Sequence, residues 1–359
     1  MTIEEYCSIE QFSLEKDAKQ TALLDFLRPL DAYHRSHSEA YRRICDALFP
    51  KTEIHSVADL PFVPVSLYKT RDLKSIPDAD IFKTLLSSGT TGSAPSKIFL
   101  DAKTAQLQTL ALTKIMTHIL GKERLPMLLV DTASTIRDRR SFSARGAGIL
   151  GLSVFGKDHT YLLDDSLSVD AGKLRSFLMK YNGKKMLIFG FTFMVWKYLS
   201  LELKDTPMDL SQAILVHSGG WKKMHELAVD NATFKKTLGE RFGLQHIYNF
   251  YGMVEQVGSI FLENSEGYMQ CSNFSDIVIR DPEDFSPVQQ GQEGLIQVVS
   301  ILPHSYPGHS ILTEDIGVFL GEDTSRDGWK GKYFQINGRV QNADVRGCSD
   351  TFEETATPT

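Results

Sequence analysis

Ser87-Ser88-Gly89-Thr90-Thr91-Gly92-Ser93-Ala94-Pro95-Ser96-Lys97 is the stretch of sequence from which the fold can be predicted. Two glycines lie three residues apart among hydroxyl side chains, and a lysine follows. Glycine permits positive φ and close backbone approach, so successive N–H groups can converge on phosphate oxygens. The stretch therefore predicts a phosphate-binding loop to which Lys97 adds a point charge. It lacks the Walker spacing G-x-x-x-x-G-K-[ST], and a flexible surface loop is the alternative interpretation.

The composition around this loop is that of an ordinary globular protein, with 42% hydrophobic and 23% charged residues in a chain of 359. A net charge of −6 gives no electrostatic reason to expect nucleic acid or an anionic membrane as a partner. No apolar run reaches transmembrane length, and Met1-Thr2-Ile3-Glu4-Glu5 lacks the basic start of a signal peptide. We therefore expect a cytoplasmic protein.

The four cysteines, Cys7, Cys45, Cys271 and Cys348, are scattered along the chain without a C-x-x-C pair. This spacing suggests neither a zinc site nor a disulfide framework. We expect the first three to be small buried hydrophobic residues. Cys348 lies close to a polar C-terminal stretch, so we do not expect it to be a buried hydrophobic residue like the other three.

Strands alternate with helices through the middle of the chain, which predicts an α/β fold with a largely parallel sheet. Beyond residue 270 short strands separated by turns predict antiparallel structure. The predicted helices are two segments within 14–48 that break near Pro29, one capped by Asp101 and ending near Gly121, one through Leu174–Leu178, one through Phe193–Leu199, and one from about Lys223 to Phe242 before a C-cap at Gly243. The predicted strands are Met127–Val130, Met186–Phe189, Ala213–Val216, His246–Phe250, Ile277–Ile279, Gly294–Val299 and Val318–Leu320, and Pro61–Lys69 is expected to be an extended lead-in.

Four later motifs carry chemistry. Ser218-Gly219-Gly220-Trp221 follows a predicted strand, and its glycine pair lets backbone approach a flat ring; a tight turn is the alternative. Tyr251-Gly252-Met253-Val254-Glu255 places a glutamate after a glycine turn, where it can ligate Mg²⁺ or be a solvated loop acid. Asp315 and Gly317 in Thr313-Glu314-Asp315-Ile316-Gly317 either bind a ligand or make a hairpin turn. Gly338-Arg339 is uninformative alone.

In this order, the loop and the four motifs resemble the adenylate-forming superfamily, whose members join a carboxylate to ATP, release pyrophosphate and hold an acyl-adenylate. The resemblance implies that Tyr251 packs on adenine, that Asp315 binds the ribose and that Glu255 holds Mg²⁺. It implies that ATP is bound by Ser87, Ser88, Gly89, Thr90, Thr91, Gly92, Ser218, Gly219, Gly220, Trp221, Tyr251, Gly252, Asp315 and Arg339. Glu314 departs from the family pattern, which has glycine there.

The chain stops 20 residues after Arg339, where a usual superfamily member continues with a C-terminal domain that supplies a catalytic lysine. We expect that domain to be nearly absent, with an adenylate-forming core at 1–337 and a short segment at 338–359. Lys97, Lys222 or Arg346 would then supply the positive charge that the missing lysine provides.

The short form resembles the acyl-protein synthetases of the bacterial bioluminescence fatty-acid reductase complex, also called long-chain-fatty-acid–luciferin-component ligases. The likeness spans nearly the whole chain and ends with Arg346-Gly347-Cys348, which is similar to the family's K-G-C. It implies that Cys348 receives the acyl group as a thioester and passes it to an acyl reductase. Tyr251-Gly252 looks more like phenylacetate–CoA ligases, so both fatty and aryl carboxylic acids stay open as substrates.

The sequence therefore predicts an ATP-dependent acyl-protein synthetase in which Cys348, Lys97 and Glu255 are catalytic. The alternatives are a carboxylate–CoA ligase, with CoA in place of Cys348, and a non-catalytic nucleotide-binding subunit. Four apolar residues are candidates for the wall of an acyl pocket, although an aromatic-rich helix is more often core: Phe191, Phe193, Met194 and Trp196.

Overall fold

The structure, a computed structural model, describes residues 1–50, 53–87, 94–136 and 144–340. These residues form two structural units. Unit 1 contains the described residues of Met1–Leu86, Ser93–Gly121 and Phe250–Asp344, and unit 2 contains those of Ser87–Gly92 and Lys122–Asn249. The separation of 338–359 from the core stays a prediction.

The helices of the described residues differ widely in length, and none of them is long and apolar enough to cross a bilayer. The α-helices are α1 (Ile3–Cys7), α2 (Lys16–His37), α3 (Glu39–Leu48), α4 (Leu67–Thr70), α5 (Ala102–Leu120), α6 (Ala144–Ser153), α7 (Ala171–Lys180), α8 (Thr192–Met194, continued by a π-helical stretch at Val195–Glu202) and α9 (Asn231–Phe242). Short 3₁₀ helices occur at Val57–Asp59, Asp78–Asp80, Ala133–Ile136, Lys222–Leu227 and Val254–Gln256.

The strands are β1 (Val63–Pro64), β2 (Lys83–Leu86), β3 (Lys97–Leu100), β4 (Leu125–Thr132), β5 (Gly156–Leu163), β6 (Met186–Phe191), β7 (Ala213–Ser218), β8 (His246–Tyr251), β9 (Phe261–Glu263), β10 (Met269–Gln270), β11 (Ser275–Arg280), β12 (Glu293–Ser300), β13 (Ser310–Glu322) and β14 (Lys332–Arg339). Every strand predicted from the sequence falls within one of these. The lead-in at Pro61–Lys69 forms β1 and then turns into α4.

The predicted break near Pro29 is wrong, because α2 continues through that proline to His37. Its apolar face stays intact on both sides of the proline, with Leu27 and Leu30 buried. Burial of this face offsets the hydrogen bond that a proline inside a helix removes. The break comes instead at Ser38, whose hydroxyl accepts from the backbone N–H of Tyr41 and caps α3.

The predicted N-cap of α5 and the predicted C-cap of α9 are confirmed. Asp101 accepts a 2.6 Å hydrogen bond from the N–H of Thr104, and Gly243 has the left-handed conformation, with φ +71°. The predicted start of α9 at Lys223 is wrong. Residues Lys222–Leu227 form a separate 3₁₀ segment, and the helix begins at Asn231 because Asp230 caps it through the N–H of Thr233.

Unit 2 contains the predicted parallel sheet, with strand order β7-β6-β4-β5 and every neighbouring pair parallel. All residues of β4, β6 and β7 are buried. Such strands are apolar along nearly their whole length because helices cover both faces of a parallel sheet.

Unit 1 contains the antiparallel structure, in the order β11-β12-β13-β14-β10-β9. The short β1 pairs in parallel with β13, and the last two residues of β8, Phe250 and Tyr251, pair with β9. The residues that the sequence motifs single out lie at the ends of β8 and β14 and inside β13. The fold class predicted from the sequence, α/β with a mostly parallel sheet and a β-rich region, is confirmed.

A buried polar cluster lies inside unit 1, where α2 and α3 pack on the segment 303–309. The side chain of Asp31 accepts a 2.6 Å hydrogen bond from the hydroxyl of Tyr41 and pairs with Arg35 at 2.8 Å. The His309 ring, which is fully buried, has its Nε2 3.7 Å from the same carboxylate. Burial alone would raise the pKa of Asp31, but the hydrogen bonds and charge of these partners, His309 foremost, lower it to about 2.

We expect Asp31→Asn to lower the free energy of unfolding at pH 7 by roughly 2 kcal/mol, at 1.4 kcal/mol per pKa unit. Because the folded-state pKa lies below the unfolded value near 4, the stabilisation is complete above pH 4 and is lost as the pH falls toward 2. Urea unfolding of both proteins between pH 7 and pH 3 measures this. The exposed Asp25 of the same helix, changed to Asn, is the matched control. A pH-independent difference would contradict the expectation.

Candidate active site

Asp315 is the centre of the site in unit 1. It lies in β13 directly opposite Arg339, the last residue of β14. The Nε of Arg339 donates to Oδ1 of Asp315 at 2.6 Å, and the hydroxyl of Tyr251, at the end of β8, donates to Oδ2 at 2.6 Å. Three of the sequence motifs therefore meet at one carboxylate.

The charge of Asp315 acts on both of its donors. Burial lowers the pKa of Arg339, but the neighbouring carboxylate outweighs this and raises it. Burial and the same carboxylate raise the pKa of Tyr251 well above its usual value, so the phenol stays a donor. An ionised carboxylate offers about four lone-pair positions, so Asp315 can accept further hydrogen bonds from a ligand. Asp315 is buried inside β13 and does not form a hairpin turn, and Arg339, whose side chain is 36% exposed, is ion-paired with it.

Glu255 lies in the 3₁₀ turn at Val254–Gln256 and is only 6% exposed, so it is not a solvated loop acid. Burial raises the pKa of its carboxyl group, while the polar side chain of Ser96 and the positive charges of Lys69 and Arg339 oppose that effect. Ser96 is itself buried. The environment thus leaves part of the cost of desolvating this charge uncompensated.

Glu255 fits a Mg²⁺ ligand on these grounds, because a cation would relieve the cost of its buried charge. Among the residues that the structure describes, no three His, Cys, Asp or Glu side chains form a metal-binding group. Mg²⁺ bound with a nucleotide commonly takes one or two carboxylates and completes its shell with water and phosphate oxygens. A single buried glutamate is therefore sufficient on the protein side.

The predicted phosphate-binding loop lies between the two strands of a hairpin. Leu86 of β2 pairs with Lys97 of β3, so the intervening residues connect the ends of adjacent strands. Ser87 is described, whereas Ser88, Gly89, Thr90, Thr91 and Gly92 lie outside the described residues. The side chain of Lys97 is 49% exposed and pairs with Asp72 at 3.5 Å. Its catalytic role stays a prediction.

The turn Ser218-Gly219-Gly220-Trp221 ends β7 in unit 2. Gly219 has φ +82°, and a Cβ there would lie 3.2 Å from the ring of Phe191, so both conformation and space favour glycine. Gly220 faces open space. The backbone carbonyl of Ser218 accepts from the hydroxyl of Thr192 at 3.2 Å, which holds the start of the turn. The open space at Gly220 leaves room for a ligand to approach the backbone, and the binding of a flat ring there stays a prediction.

The four apolar candidates for the acyl pocket, Phe191, Phe193, Met194 and Trp196, are all buried. Trp196 stacks on Phe234 with ring centres 5.7 Å apart. Trp221 meets Trp196 edge-on at 5.9 Å. These contacts belong to the aromatic core of unit 2, and a role in acyl binding stays a prediction.

The three described cysteines have the buried positions expected of them, and none is in a disulfide. Burial raises the pKa of Cys7 and of Cys45 to about 11 and that of Cys271 further. Such thiols carry little thiolate at neutral pH, and the thiolate is the form that attacks. Cys348 and Arg346 lie outside the described residues.

Two residues outside the predicted site, Tyr306 and Gln256, hold the Glu255 turn. The hydroxyl of Tyr306 donates to the backbone carbonyl of Glu255 at 2.8 Å. The amide of Gln256 donates to the carbonyls of Gly308 at 2.8 Å and Val298 at 3.2 Å. Only the position of Gln256 beside Glu255 could have drawn attention to it, and no local pattern marks Tyr306.

The chain is similar to a known protein family and to two curated relatives. A family model described as "Acyl-protein synthetase, LuxE" matches residues 7–357. A long-chain-fatty-acid–luciferin-component ligase of Vibrio harveyi is 22% identical, over 97% of this chain and 91% of its own length. Its counterpart from Aliivibrio fischeri is 23% identical, over 88% and 84%.

A solved structure shares the fold. An open conformation of 2-hydroxyisobutyryl-CoA ligase, in complex with 2-HIB-AMP and CoA, superposes with a TM-score of 0.66 at 16% identity. The match covers 92% of this chain and 77% of the ligase. The same ligase in a postadenylation state gives 0.65 at 17% identity, over 91% and 69%.

We expect Glu255→Gln to leave the fold intact and to keep or raise the melting temperature in the absence of ligands. The amide keeps the size of the side chain and removes a charge whose burial is unfavourable, as the raised pKa of Glu255 indicates. Calorimetric melts at pH 7 measure this. A large drop in melting temperature would mean that the carboxylate stabilises the turn and is not held there for a ligand.

Proposed function

The chain belongs to the acyl-protein synthetase (LuxE) family, and we propose that it activates a carboxylic acid with ATP and transfers the acyl group to its own Cys348. Membership in this family makes the protein a ligase. The identity of the acid, the use of ATP and Mg²⁺, and the acceptor are the proposed parts.

The convergence of Tyr251, Asp315 and Arg339 is the observation that supports nucleotide binding most directly. Their side chains come from three separate motifs and share one carboxylate, with both bonds at 2.6 Å. A carboxylate oriented in this way can accept hydrogen bonds from the two hydroxyls of a ribose. Since each donor bonds a different oxygen of Asp315, the carboxylate is fixed before a nucleotide arrives.

The reaction proceeds in two displacements. An oxygen of the substrate carboxylate attacks the α-phosphorus of ATP, the bond to the β-phosphate breaks, and pyrophosphate leaves. The Cys348 thiolate then attacks the acyl carbonyl, a C–S bond forms, and AMP leaves with the oxygen that joined it to the acyl group. Splitting the transfer in this way replaces one difficult step with two easier ones.

Residues of this chain would stabilise the negative charge of the ATP phosphates. Glu255 would hold Mg²⁺, which when bound neutralises phosphate charge. We assign Lys97, Lys222 or Arg346 to the positive charge that compensates for the lysine of a C-terminal domain. The exposed, ion-paired side chain of Lys97 is able to move without loss of buried contacts.

Cys348 is proposed as the acceptor partly by comparison with the other cysteines. Cys7, Cys45 and Cys271 are buried, with pKa values raised by burial. Cys348 follows Arg346 and Gly347 in a polar stretch of sequence, where a nearby positive charge favours thiolate. An acyl reductase that takes the thioester is the proposed partner, and the cytoplasm, where ATP is available, is the proposed location.

A fatty acid is the proposed substrate class, because the two relatives are named as long-chain-fatty-acid ligases. An aryl acid is the second candidate, on the strength of Tyr251-Gly252. ATP–pyrophosphate exchange with a panel of fatty and aryl carboxylates decides between them. If none of the acids on the panel supports ATP–pyrophosphate exchange, the adenylation step is contradicted.

We expect Asp315→Ala to weaken ATP binding, because the ribose hydroxyls lose their hydrogen-bond acceptor. The cost of leaving such polar partners unmatched is about 1–3 kcal/mol, or roughly 5- to 150-fold in Kd. Titration calorimetry with ATP measures this. Asp25→Ala, which removes an exposed carboxylate of α2, is the control. Unchanged affinity in Asp315→Ala would remove this residue from the nucleotide site.

We expect wild-type protein incubated with ATP and a labelled acid to carry label that neutral hydroxylamine removes. Cys348→Ala should exchange pyrophosphate at the wild-type rate and acquire no label, because only the second displacement needs the thiol. Cys45→Ala is the matched control and should label normally. Label on Cys348→Ala would refute the assignment. Accumulation of acyl-CoA in an assay that contains CoA would favour a CoA ligase.

A further inference from the structure

The Glu255 turn is held by its backbone, and Tyr306 makes the most direct of these contacts. Its hydroxyl, fully buried, donates to the carbonyl of Glu255 at 2.8 Å. The ring cannot shift easily, because the backbone of Gly308 lies against it. A Cβ on Gly308 would be 2.2 Å from Cε2 of that ring. The phenol is therefore fixed from two sides, by its hydrogen bond and by close packing.

The residues that follow Glu255 are fixed as well. Gln256 donates both amide protons to backbone carbonyls, one of them that of Gly308. Gly258, with φ +89°, lies against α5 so closely that a Cβ would be 2.5 Å from the carbonyl oxygen of Gln108. The amide of Gln108 in turn lies 3.4 Å from the hydroxyl of Tyr306. The turn thus has little freedom to change its backbone path.

The segment 303–309, which carries Tyr306, is anchored to the rest of unit 1. His34 contacts the carbonyl of Pro303 at 3.0 Å. The N–H of Ser305 donates to the hydroxyl of Thr104 at 3.1 Å. Tyr68, also fully buried, donates to the carbonyl of Pro307 at 2.6 Å. These anchors are independent of one another, so the segment keeps its place, and Tyr306 with it, when any single one of them is lost.

We propose that Tyr306 is a positioning residue for Glu255, fixing its peptide so that the carboxylate meets Mg²⁺ at one defined place. The inference rests on the proposed metal role of Glu255. Mg²⁺ demands near-octahedral geometry with ligand distances of about 2.0–2.1 Å. A small rotation of the peptide at 255 would displace the carboxylate by more than that geometry tolerates.

The competing explanation is that Tyr306 only packs in the core. Tyr68 provides a control that distinguishes this explanation from a positioning role. Both phenols are fully buried, and both donate to a backbone carbonyl. Tyr68 bonds the same segment as the one that carries Tyr306, but it does not bond the Glu255 turn. Loss of either hydroxyl should destabilise the protein to a similar extent. Only loss of the Tyr306 hydroxyl should alter metal binding.

The test compares Tyr306→Phe, Tyr68→Phe and Glu255→Gln by thermal melts and by Mn²⁺ titration. Mn²⁺ replaces Mg²⁺ because its free and bound forms are distinguished by electron paramagnetic resonance, and an ATP analogue with an α,β-methylene bridge prevents turnover. We expect Tyr306→Phe to weaken Mn²⁺ binding in the ternary complex by about 5- to 20-fold, because the carboxylate departs from the geometry the ion demands. Tyr68→Phe should change it less than about 2-fold at a similar melting temperature.

Two results would overturn the inference. One leaves the proposed metal role of Glu255 intact, and the other contradicts that role as well. Equal Mn²⁺ affinity in Tyr306→Phe and Tyr68→Phe, beside an impaired Glu255→Gln, overturns the role of Tyr306 alone. Wild-type affinity in Glu255→Gln overturns the metal role of Glu255 as well. If Tyr306→Phe does not yield folded protein, Gln256→Met should reproduce the weakened Mn²⁺ binding, and wild-type affinity there would contradict the inference equally.

Discussion

Asp315 accepts hydrogen bonds from two side chains that reach it from different strands, and the arrangement of the site in unit 1 depends on this interaction. Arg339 is its cross-strand neighbour in β14, and Tyr251 approaches from the end of β8. Removing one partner from such a group leaves the other polar atoms buried without a match, which is costly. The carboxylate therefore ties the ends of these strands together at the place where a ligand is proposed to bind.

The features that the sequence predicts correctly are those decided by near neighbours. Asp101 caps α5 through a residue three positions along, and Gly243 ends α9 through its own φ. The predictions fail where distant packing decides. Pro29 does not break α2, because the buried face on both sides of it continues. The motif residues Tyr251, Asp315 and Arg339 could be named from the sequence, but their shared hydrogen bonds needed the strand register.

Tyr306 and Gln256 show why the supporting residues escaped prediction. Tyr306 lies 51 residues from the carbonyl that it bonds, and the contact of Gln256 with Gly308 spans 52. A tyrosine or a glutamine carries no local signal of such a partner, since either residue occurs in many environments. The polar atoms become interpretable only when the fold shows that they are buried, because a buried donor must find an acceptor.

The supporting contacts around Glu255 are made to its peptide and to its neighbours in sequence. Tyr306 bonds its carbonyl, and Gln256 anchors the next residue. The carboxyl group itself is stabilised by Ser96 and by its own backbone N–H. A second full set of donors on the carboxylate would stabilise its charge and compete with a cation for the same lone pairs. Holding the backbone avoids that competition: the turn becomes rigid while the carboxylate keeps lone pairs for a ligand. The raised pKa that burial gives this group is the cost of leaving it only partly satisfied, and proteins commonly accept such a cost where a residue serves function.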